Sequence, residues 1–366
     1  MILPSLYKTD TSRNERVITL LHQLFVTQDL TDEELRFILD HITLNELNDL
    51  SKLANQKRLK VYGKKVYMRG LIEFSNYCNR PCQYCGIQAA NKKLMRYRLS
   101  KEEILSCVEE GLMLGFNTFV LQSGEDCYHT DDILVDLIQS IKQMAPNCAI
   151  TLSIGERSKE SYQVLYNAGC DRYLLRHETA SKTLYEALHP SMSFTNRLNC
   201  LMDLKDIGYQ VGGGFMVGLP NQTNGDLLND IRFLQKLAPH MCGIGPYICH
   251  SDTPLRGNES GTIEQTLVMV ALIRLILPKV LLPATTALGT LDILGREKAL
   301  KSGANVVMPN LTQTDYRKQY ELYQNKICLD DDARKCRGCI EIKINLSGFE
   351  VDMSRGDHVD FVKQSI

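Results

Sequence analysis

The sequence has no tryptophan, and aromatic residues make up only 7% of its 366 residues. It also has no excess of charge of one sign, because 42 basic and 43 acidic residues give a formal net charge of −1. A chain without a strong field of one sign is a poor candidate for binding nucleic acid or an anionic membrane surface. We therefore expect no nucleic acid and no membrane among its partners.

A hydrophobic run long enough to cross a bilayer is also absent from the sequence. The most apolar window, residues 267–288, is interrupted by Arg274, Pro278, Lys279 and Pro283, which makes it a poor membrane span. We interpret it as a buried helix followed by a buried strand. The first residues do not resemble a secretory or transit signal, so we expect a cytoplasmic protein.

Cysteine, by contrast, is abundant, with 13 residues. Without a secretory signal these thiols cannot be assumed to form disulfides. Three of them lie close together near residue 80 and three near residue 335, while the other seven are scattered singly. A scattered free cysteine usually behaves as a small buried hydrophobe, so we expect the chemistry in the two groups.

Short apolar segments rich in β-forming residues alternate with amphipathic helical segments along most of the chain. Eight such segments are candidate strands: 71–74, 118–122, 149–154, 172–177, 213–218, 243–248, 281–286 and 305–309. Strands that alternate with helices predict parallel βαβ units, and eight of them in about 240 residues match the size of a TIM barrel. A doubly wound open sheet is the alternative.

The predicted organisation is an α/β fold with a complete TIM (βα)8 barrel, an N-terminal helical extension and a C-terminal cap. The extension covers residues 1–60, the barrel residues 61–312, and the cap, with its three cysteines, residues 313–366. In such a barrel the chemistry lies at the carboxyl ends of the strands.

The first cysteine group follows the first predicted strand with the spacing C-x3-C-x2-C, at Cys78, Cys82 and Cys85. Three soft thiolates on a short loop are suited to an inorganic cluster. A structural zinc site or an electron-transfer 4Fe-4S site uses four protein ligands. The missing fourth ligand therefore indicates a cluster iron that is open to a substrate. A zinc loop or three unrelated thiols are the alternatives.

Polar residues follow other predicted strands. Arg176 and Glu178 are two apart and should face the same side of their strand; an internal ion pair is the alternative. Thr285 and Thr286 place two hydroxyls at the barrel mouth, although helix capping would also explain a threonine there. Arg197, on a helix, is able to pair with a carboxylate.

The segment around Cys78, Cys82 and Cys85, with the aromatic Tyr84, resembles the motif of the radical S-adenosylmethionine (SAM) superfamily. This resemblance implies a 4Fe-4S cluster whose open iron binds the amino and carboxylate groups of SAM. One electron from the reduced cluster then cleaves SAM to methionine and a 5′-deoxyadenosyl radical.

A series of segments in order, QSGED, RHETA, NRLNCL, VGLP, PATTA and GANVVMPN among them, resembles one family along nearly the whole chain. It is the HydE family of iron-iron hydrogenase H-cluster maturases. The resemblance implies that Glu178 and Arg197 hold SAM, with Gln122, Ser123 and Gly124 nearby. It also implies a substrate cavity lined by Thr151, Arg176, Thr285, Thr286, Tyr320 and Tyr323.

Proteins of this family act on a small cysteine-bound iron carbonyl cyanide species, so the resemblance implies a maturase that helps to build the diiron subcluster. The partners it implies are the small-molecule substrate, a HydG-like maturase, a HydF-like scaffold and a low-potential electron donor. A second group, Cys328, Cys336 and Cys339, corresponds to an auxiliary iron-sulfur cluster, 2Fe-2S or 4Fe-4S, in some members. These three thiols would also suit zinc or oxidation.

Two other functions remain open at this point. A methylornithine synthase or biotin synthase shares the barrel, the cluster and the SAM site, although the biotin synthase signature N-H-N-L-D is absent, with RHETA in its place. A noncatalytic iron-sulfur carrier would need the cluster cysteines but not Arg176, Glu178 and Arg197.

Overall fold

The N-terminal part of the computed structural model, which describes residues 11–361, is helical. The first ten residues of the predicted extension and residues 362–366 of the predicted cap lie outside the described chain. The helices here are α1 (Thr11–Thr27), α2 (Asp32–His41) and α3 (Leu44–Tyr62). Thr31 and Thr43 begin α2 and α3 with capping boxes, in which each hydroxyl accepts a backbone N–H of the first turn.

Eight parallel segments, at residues 65–75, 118–123, 149–153, 172–174, 210–217, 241–246, 281–283 and 306–310, form a closed barrel. The named strands are β1 (Lys65–Met68), β2 (Gly70–Ser75), β3 (Thr118–Ser123), β4 (Ala149–Ser153), β5 (Arg172–Leu174), β6 (Gln210–Val217), β7 (Met241–Pro246), β8 (Val306–Val307) and β9 (Glu350–Asp352). Strands β2 to β7 pair in sequence order. Leu281 bridges β7 and Pro283 bridges Val306, β8 pairs with β1, and Asn310 bridges Leu71. These bridges complete the predicted TIM barrel.

Helices surround the barrel in the order expected of βαβ units. They are α4 (Lys101–Met113), α5 (Asp131–Met144), α6 (Lys159–Asn167), α7 (Lys182–Leu188), α8 (Phe194–Ile207), α9 (Asn224–Leu237), α10 (Ile263–Ile276), α11 (Thr286–Leu291) and α12 (Gly295–Lys301). Helix α10 is buried along almost its whole length because α3 packs on its outer face. The apolar window 267–288 is thus a buried helix leading into a buried barrel strand. Within the described chain, no helix combines the length and apolarity needed to cross a membrane.

The C-terminal segment reaches both ends of the barrel. It contains α13 (Thr314–Arg317) and α14 (Ala333–Leu346). Between them, residues 318–332 run along the barrel mouth. Arg317 connects this segment to the barrel by donating to the backbone oxygens of Asn310 and Asp331. Strand β9 then pairs with β1. Below it, Asp357 accepts hydrogen bonds from Arg172 and Arg355 at the opposite end of the barrel.

Candidate active site

The first cysteine group lies at the carboxyl end of β2, as the motif predicts. Its loop is fixed from two sides, because the Asn76 side chain donates to the backbone oxygens of Met95 and Gln319. Cys78, Cys82 and Cys85 are free thiols on one wall of a cavity of about 360 Å³. This cavity opens where the carboxyl ends of the barrel strands converge.

The surroundings of the three thiols fit an iron-sulfur cluster. Burial raises the pKa of Cys78 and of Cys82, and it raises the pKa of Cys85 to about 12. Three deprotonated thiolates side by side would therefore be costly without a metal, whereas metal coordination deprotonates a thiol. In residues 11–361 no three ligand side chains converge on a single ion position, and a cluster needs no such convergence because each thiolate binds a different iron.

Tyr84 connects the cysteine loop to α7. Its hydroxyl lies 2.9 Å from His189 Nε2, and His189 Nδ1 lies 2.9 Å from the backbone oxygen of Tyr185. Because a carbonyl oxygen only accepts, Nδ1 carries the proton and Nε2 accepts from the Tyr84 hydroxyl. Burial lowers the pKa of His189 to about 3, which keeps this neutral form. Tyr84 thus anchors the loop as well as lining the cavity.

Four charged side chains connect the cysteine loop to the next strands and to α8. Arg80, inside the loop, contacts the carboxylate of Glu125 and lies 3.7 Å from that of Glu156. Glu156 in turn accepts from Arg197 Nε at 2.6 Å, and Arg197 Nη1 donates to the backbone oxygen of Arg176 at 2.6 Å. The pairing of Arg197 with a carboxylate, suggested by the sequence, is therefore with Glu156, through a single N–H.

Arg176 and Glu178 face each other across the cavity wall. Strand β5 ends at Leu174, earlier than predicted, and yet Arg176 Nη2 lies 2.9 Å from Glu178 Oε2. Neither atom has a hydrogen-bond partner, so Arg176 can still donate to a ligand and Glu178 can still accept from one. Glu178 adopts a left-handed backbone with φ of 66°. Behind it, the buried His177 lies 3.2 Å from Asp230, which agrees with a structural role for His177.

The other predicted cavity residues mostly converge on the same space. Gln122, Ser123, Gly124, Thr285, Thr286, Tyr320 and Tyr323 all line it, but Thr151 does not. Thr151 is fully buried in β4, and its hydroxyl has no partner. Thr285 precedes α11 without capping it through its side chain, and its hydroxyl has no partner. Thr286 accepts from Arg296 at 3.0 Å.

A buried ion pair at the edge of the cavity was not predicted from the sequence. The Glu73 carboxylate accepts from Lys326 Nζ at 2.6 Å and from Asn310 Nδ2 at 2.8 Å, and Lys326 also donates to the backbone oxygen of Tyr320 at 2.8 Å. Glu73 stands in a buried strand, LIEF, and a charged residue in such a strand was the available signal. Arg80, Glu125 and Glu156 were not assigned roles either.

The second cysteine group lies outside the cavity. The Cys328 and Cys336 thiols lie close enough to interact, which lowers the pKa of Cys328 and raises that of Cys336. Arg296 also lies 3.8 Å from the Cys328 sulfur. Cys339 is exposed one turn further along α14. The structure thus brings Cys328 and Cys336 together.

A closed parallel barrel with three thiols and several charge pairs at its mouth defines a radical SAM enzyme. The model of the Radical SAM superfamily accordingly matches residues 72–234. The [FeFe] hydrogenase maturase subunit HydE of Thermotoga maritima is 48% identical over 299 residues, which cover 82% of this chain and 85% of that protein. The chain therefore belongs to the HydE family.

More distant relatives share the fold. The 3-methylornithine synthase of Methanosarcina acetivorans is 30% identical over 280 residues, covering 76% of this chain and 79% of that protein. A crystal structure of methylornithine synthase superposes with a TM-score of 0.81 at 26% identity, over 91% of this chain and 97% of that one. A structure of HydG, a maturase of the [FeFe]-hydrogenase, has a TM-score of 0.76 at 20% identity, over 95% of this chain and 78% of that one. At this identity HydG shows the common fold alone.

Proposed function

We propose that this radical SAM enzyme matures the iron-iron hydrogenase H-cluster by acting on a small cysteine-bound iron carbonyl cyanide species. The observation that carries the proposal is that the cysteine loop and the Arg176–Glu178 pair line one cavity at the barrel mouth. The family membership supports the hydrogenase role. A noncatalytic carrier would not need this cavity.

Cys78, Cys82 and Cys85 would hold the 4Fe-4S cluster. When bound and reduced, the cluster supplies the electron that cleaves SAM to methionine and a 5′-deoxyadenosyl radical. SAM carries an ammonium and a carboxylate group, so Glu178 would accept from the ammonium and Arg197 would face the carboxylate. Gln122, Ser123 and Gly124 stand at the end of β3 beside them, and Gly124 leaves room for close backbone approach.

The substrate would occupy the side of the cavity away from the cysteine loop. Four of the buried groups predicted to contact substrate lack hydrogen-bond partners: Thr151 Oγ1, Arg176 Nη2, Thr285 Oγ1 and the Tyr320 hydroxyl. Carboxylate, cyanide and carbonyl groups accept hydrogen bonds, which is what these donors offer. Thr286 and Tyr323 complete the wall, while Thr151 would contribute only from beneath it. Tyr320, Leu322, Tyr323 and Lys326, from residues 318–332, also line the cavity and would help to exclude water from it.

The test is an anaerobic maturation of apo-hydrogenase with SAM, a HydG-like maturase and a HydF-like scaffold, with and without this reconstituted protein. We expect hydrogen production to depend on the chain. If SAM is cleaved but hydrogen production does not depend on the chain, the substrate assignment passes to the methylornithine branch, which the 30% identical relative represents, or to another small-molecule branch. Dependence on the HydG-like maturase and the HydF-like scaffold in the same assay would support these two partners. We also propose a cytoplasmic location.

We also propose that Cys328, Cys336 and Cys339 hold an auxiliary iron-sulfur cluster. The contact between Cys328 and Cys336 supports the proposal, as does the placement of Cys336 and Cys339 one helical turn apart, on the same side of α14. Iron content and electron paramagnetic resonance of Cys336→Ala would test it. We expect loss of the second cluster signal with most SAM cleavage retained. Unchanged iron content would contradict the proposal.

A further inference from the structure

Arg296, on α12, has an unusual set of partners for an arginine close to the barrel mouth. Three arginines of the cavity wall each contact a carboxylate, whereas within residues 11–361 the Arg296 guanidinium contacts a hydroxyl and a sulfur instead. Its Nη2 donates to Thr286 Oγ1 at 3.0 Å, and both Nη1 and Nη2 lie 3.8 Å from the Cys328 sulfur. One side chain therefore connects the second cysteine group to Thr286.

The hydrogen bond from Arg296 fixes the chemical role of the Thr286 hydroxyl. Thr286 lines the cavity, whereas Arg296 stands behind that wall. A guanidinium carries donors and no acceptor, so Thr286 Oγ1 is the acceptor in this bond. The hydroxyl keeps its own proton to donate, and no acceptor for that proton lies among the described residues. Thr286 therefore offers a hydrogen-bond donor to whatever occupies the cavity.

The neighbouring hydroxyl of Thr285 is not fixed in this way. It also lines the cavity, but it has no hydrogen-bond partner. A hydroxyl without a partner can rotate, and can either donate to a ligand or accept from one. Two adjacent threonines thus differ in the chemistry that they present, and the difference comes from Arg296.

The Arg296 side chain is confined by its surroundings. Cys328, whose sulfur it contacts, has a left-handed backbone with φ of 65°, which is rare for a residue with a Cβ. On α11, a Cβ on Gly289 would lie 3.4 Å from Arg296 Nε and 2.9 Å from Ile327 Cδ1. A side chain there would crowd both the guanidinium and the segment that covers the mouth, so glycine leaves the room that Arg296 occupies.

We propose that Arg296 is a positioning residue that keeps the Thr286 hydroxyl pointed into the cavity as a donor, and that Cys328 helps to hold Arg296 there. The inference rests on the proposed function, because it concerns the substrate side of the cavity. A fixed donor favours an acceptor on the substrate, such as a cyanide nitrogen or a carbonyl or carboxylate oxygen, and disfavours an ammonium group. The second cysteine group thereby affects substrate binding although it lies outside the cavity.

The test measures the dissociation constant of a synthetic iron complex with cysteine, carbonyl and cyanide ligands. The reconstituted holoprotein is used anaerobically, with SAM present and no reductant, so that SAM is not cleaved. For Arg296→Met we expect binding about fivefold weaker, because the hydrogen bond from Thr286 loses its fixed direction. Arg296→Lys keeps a donor and should lose less. Lys298→Met is the matched control, since Lys298 lies on the same helix and pairs with Asp292, and it should bind as wild type does.

A double-mutant cycle separates positioning from a general structural effect. Thr286→Val removes the hydroxyl, so adding Arg296→Met to it should weaken binding little further. The losses from Arg296→Met and Thr285→Val should instead multiply. Wild-type binding by Arg296→Met would refute the inference, and so would losses that multiply with Thr286→Val as well.

The contribution of the second cysteine group is measured in the same way. Cys328→Ala should weaken binding of the complex, but should add nothing in the Thr286→Val background. Cys339→Ala is the control, because it removes the exposed thiol of the same group. Wild-type binding by Cys328→Ala, or an equal loss in Cys339→Ala, would refute the role of Cys328.

Failure of the proposed function gives a different result from failure of this inference. If wild type itself does not bind the complex, the proposed substrate is wrong and the inference falls with it. If wild type binds the complex and Arg296→Met binds it equally well, the inference alone is refuted.

Discussion

Replacing Lys326 with methionine would leave the Glu73 carboxylate buried without its cation. Glu73 is 2% exposed and Lys326 8% exposed, and Asn310 would be the remaining side-chain partner of the carboxylate. Removing one member of a buried pair costs about 3–5 kcal/mol. Since the lost bond connects residues 318–328 to β2, we expect the cost to appear as local opening of this segment. Since about 1.4 kcal/mol corresponds to a factor of ten, the equilibrium constant for this local opening should increase about a hundredfold to a few thousandfold.

Hydrogen exchange of backbone amides in residues 318–328 measures this opening, with amides of β6 as an internal reference. Lys318→Met is the matched control, because Lys318 lies in the same segment and pairs with Asp330 at the exposed surface. The double variant Glu73→Gln with Lys326→Met removes the uncompensated charge and should recover most of the protection. Exchange in Lys326→Met no faster than in Lys318→Met would refute the reasoning, and so would a double variant as open as the single one.

Three further predictions concern the cysteine loop and its surroundings. Gly124→Ala would place a Cβ 2.6 Å from the Cβ of Cys78, so we expect a loss of stability of about 1–3 kcal/mol and a lower cluster content by iron analysis; full iron occupancy would contradict this. Cys82→Ala should abolish deoxyadenosine formation, whereas Cys107→Ala, which removes a buried thiol of α4, should not; deoxyadenosine from the Cys82 variant would overturn the ligand assignment. Burial lowers the pKa of His189 to about 3, and its two ring nitrogens face only the Tyr84 hydroxyl and a backbone oxygen. The unfolded chain therefore binds an extra proton below its pKa of about 6.5, and the stability from neutral His189 is lost as the pH falls. The free energy of unfolding, measured with denaturant, should drop by about 1.2 kcal/mol from this group between pH 6 and 5; no difference in this slope between wild type and His189→Gln would contradict the burial argument.

The barrel could be predicted from the sequence because its strands are buried on both faces, so that segments such as 118–122 and 213–218 form continuous apolar runs. The ends of the strands were predicted less accurately. The strand predicted to reach His177 stops at Leu174, because the chain turns there toward the left-handed Glu178. The strand at 281–286 is reduced to bridges at Leu281 and Pro283.

The site could be predicted only where residues in contact are also neighbours in a motif. Cys78, Cys82 and Cys85 share an eight-residue span, whereas Glu73 and Lys326 are 253 positions apart. A pair of that kind leaves no periodic signal in the sequence, because each member is a single charge in an otherwise ordinary segment. The contact exists only after the barrel has closed and the C-terminal segment has been placed on it.

The placement of the C-terminal segment has a consequence for biogenesis. All eight barrel strands lie before residue 311, whereas the residues that cover the mouth and β9 come after it. Because the chain is synthesised from its N-terminus, the cysteine loop leaves the ribosome before the residues that cover it have been made. During translation there is therefore an interval in which residues 318–332 do not yet cover the three cysteines. Arrival of Lys326 beside Glu73 then ends that interval.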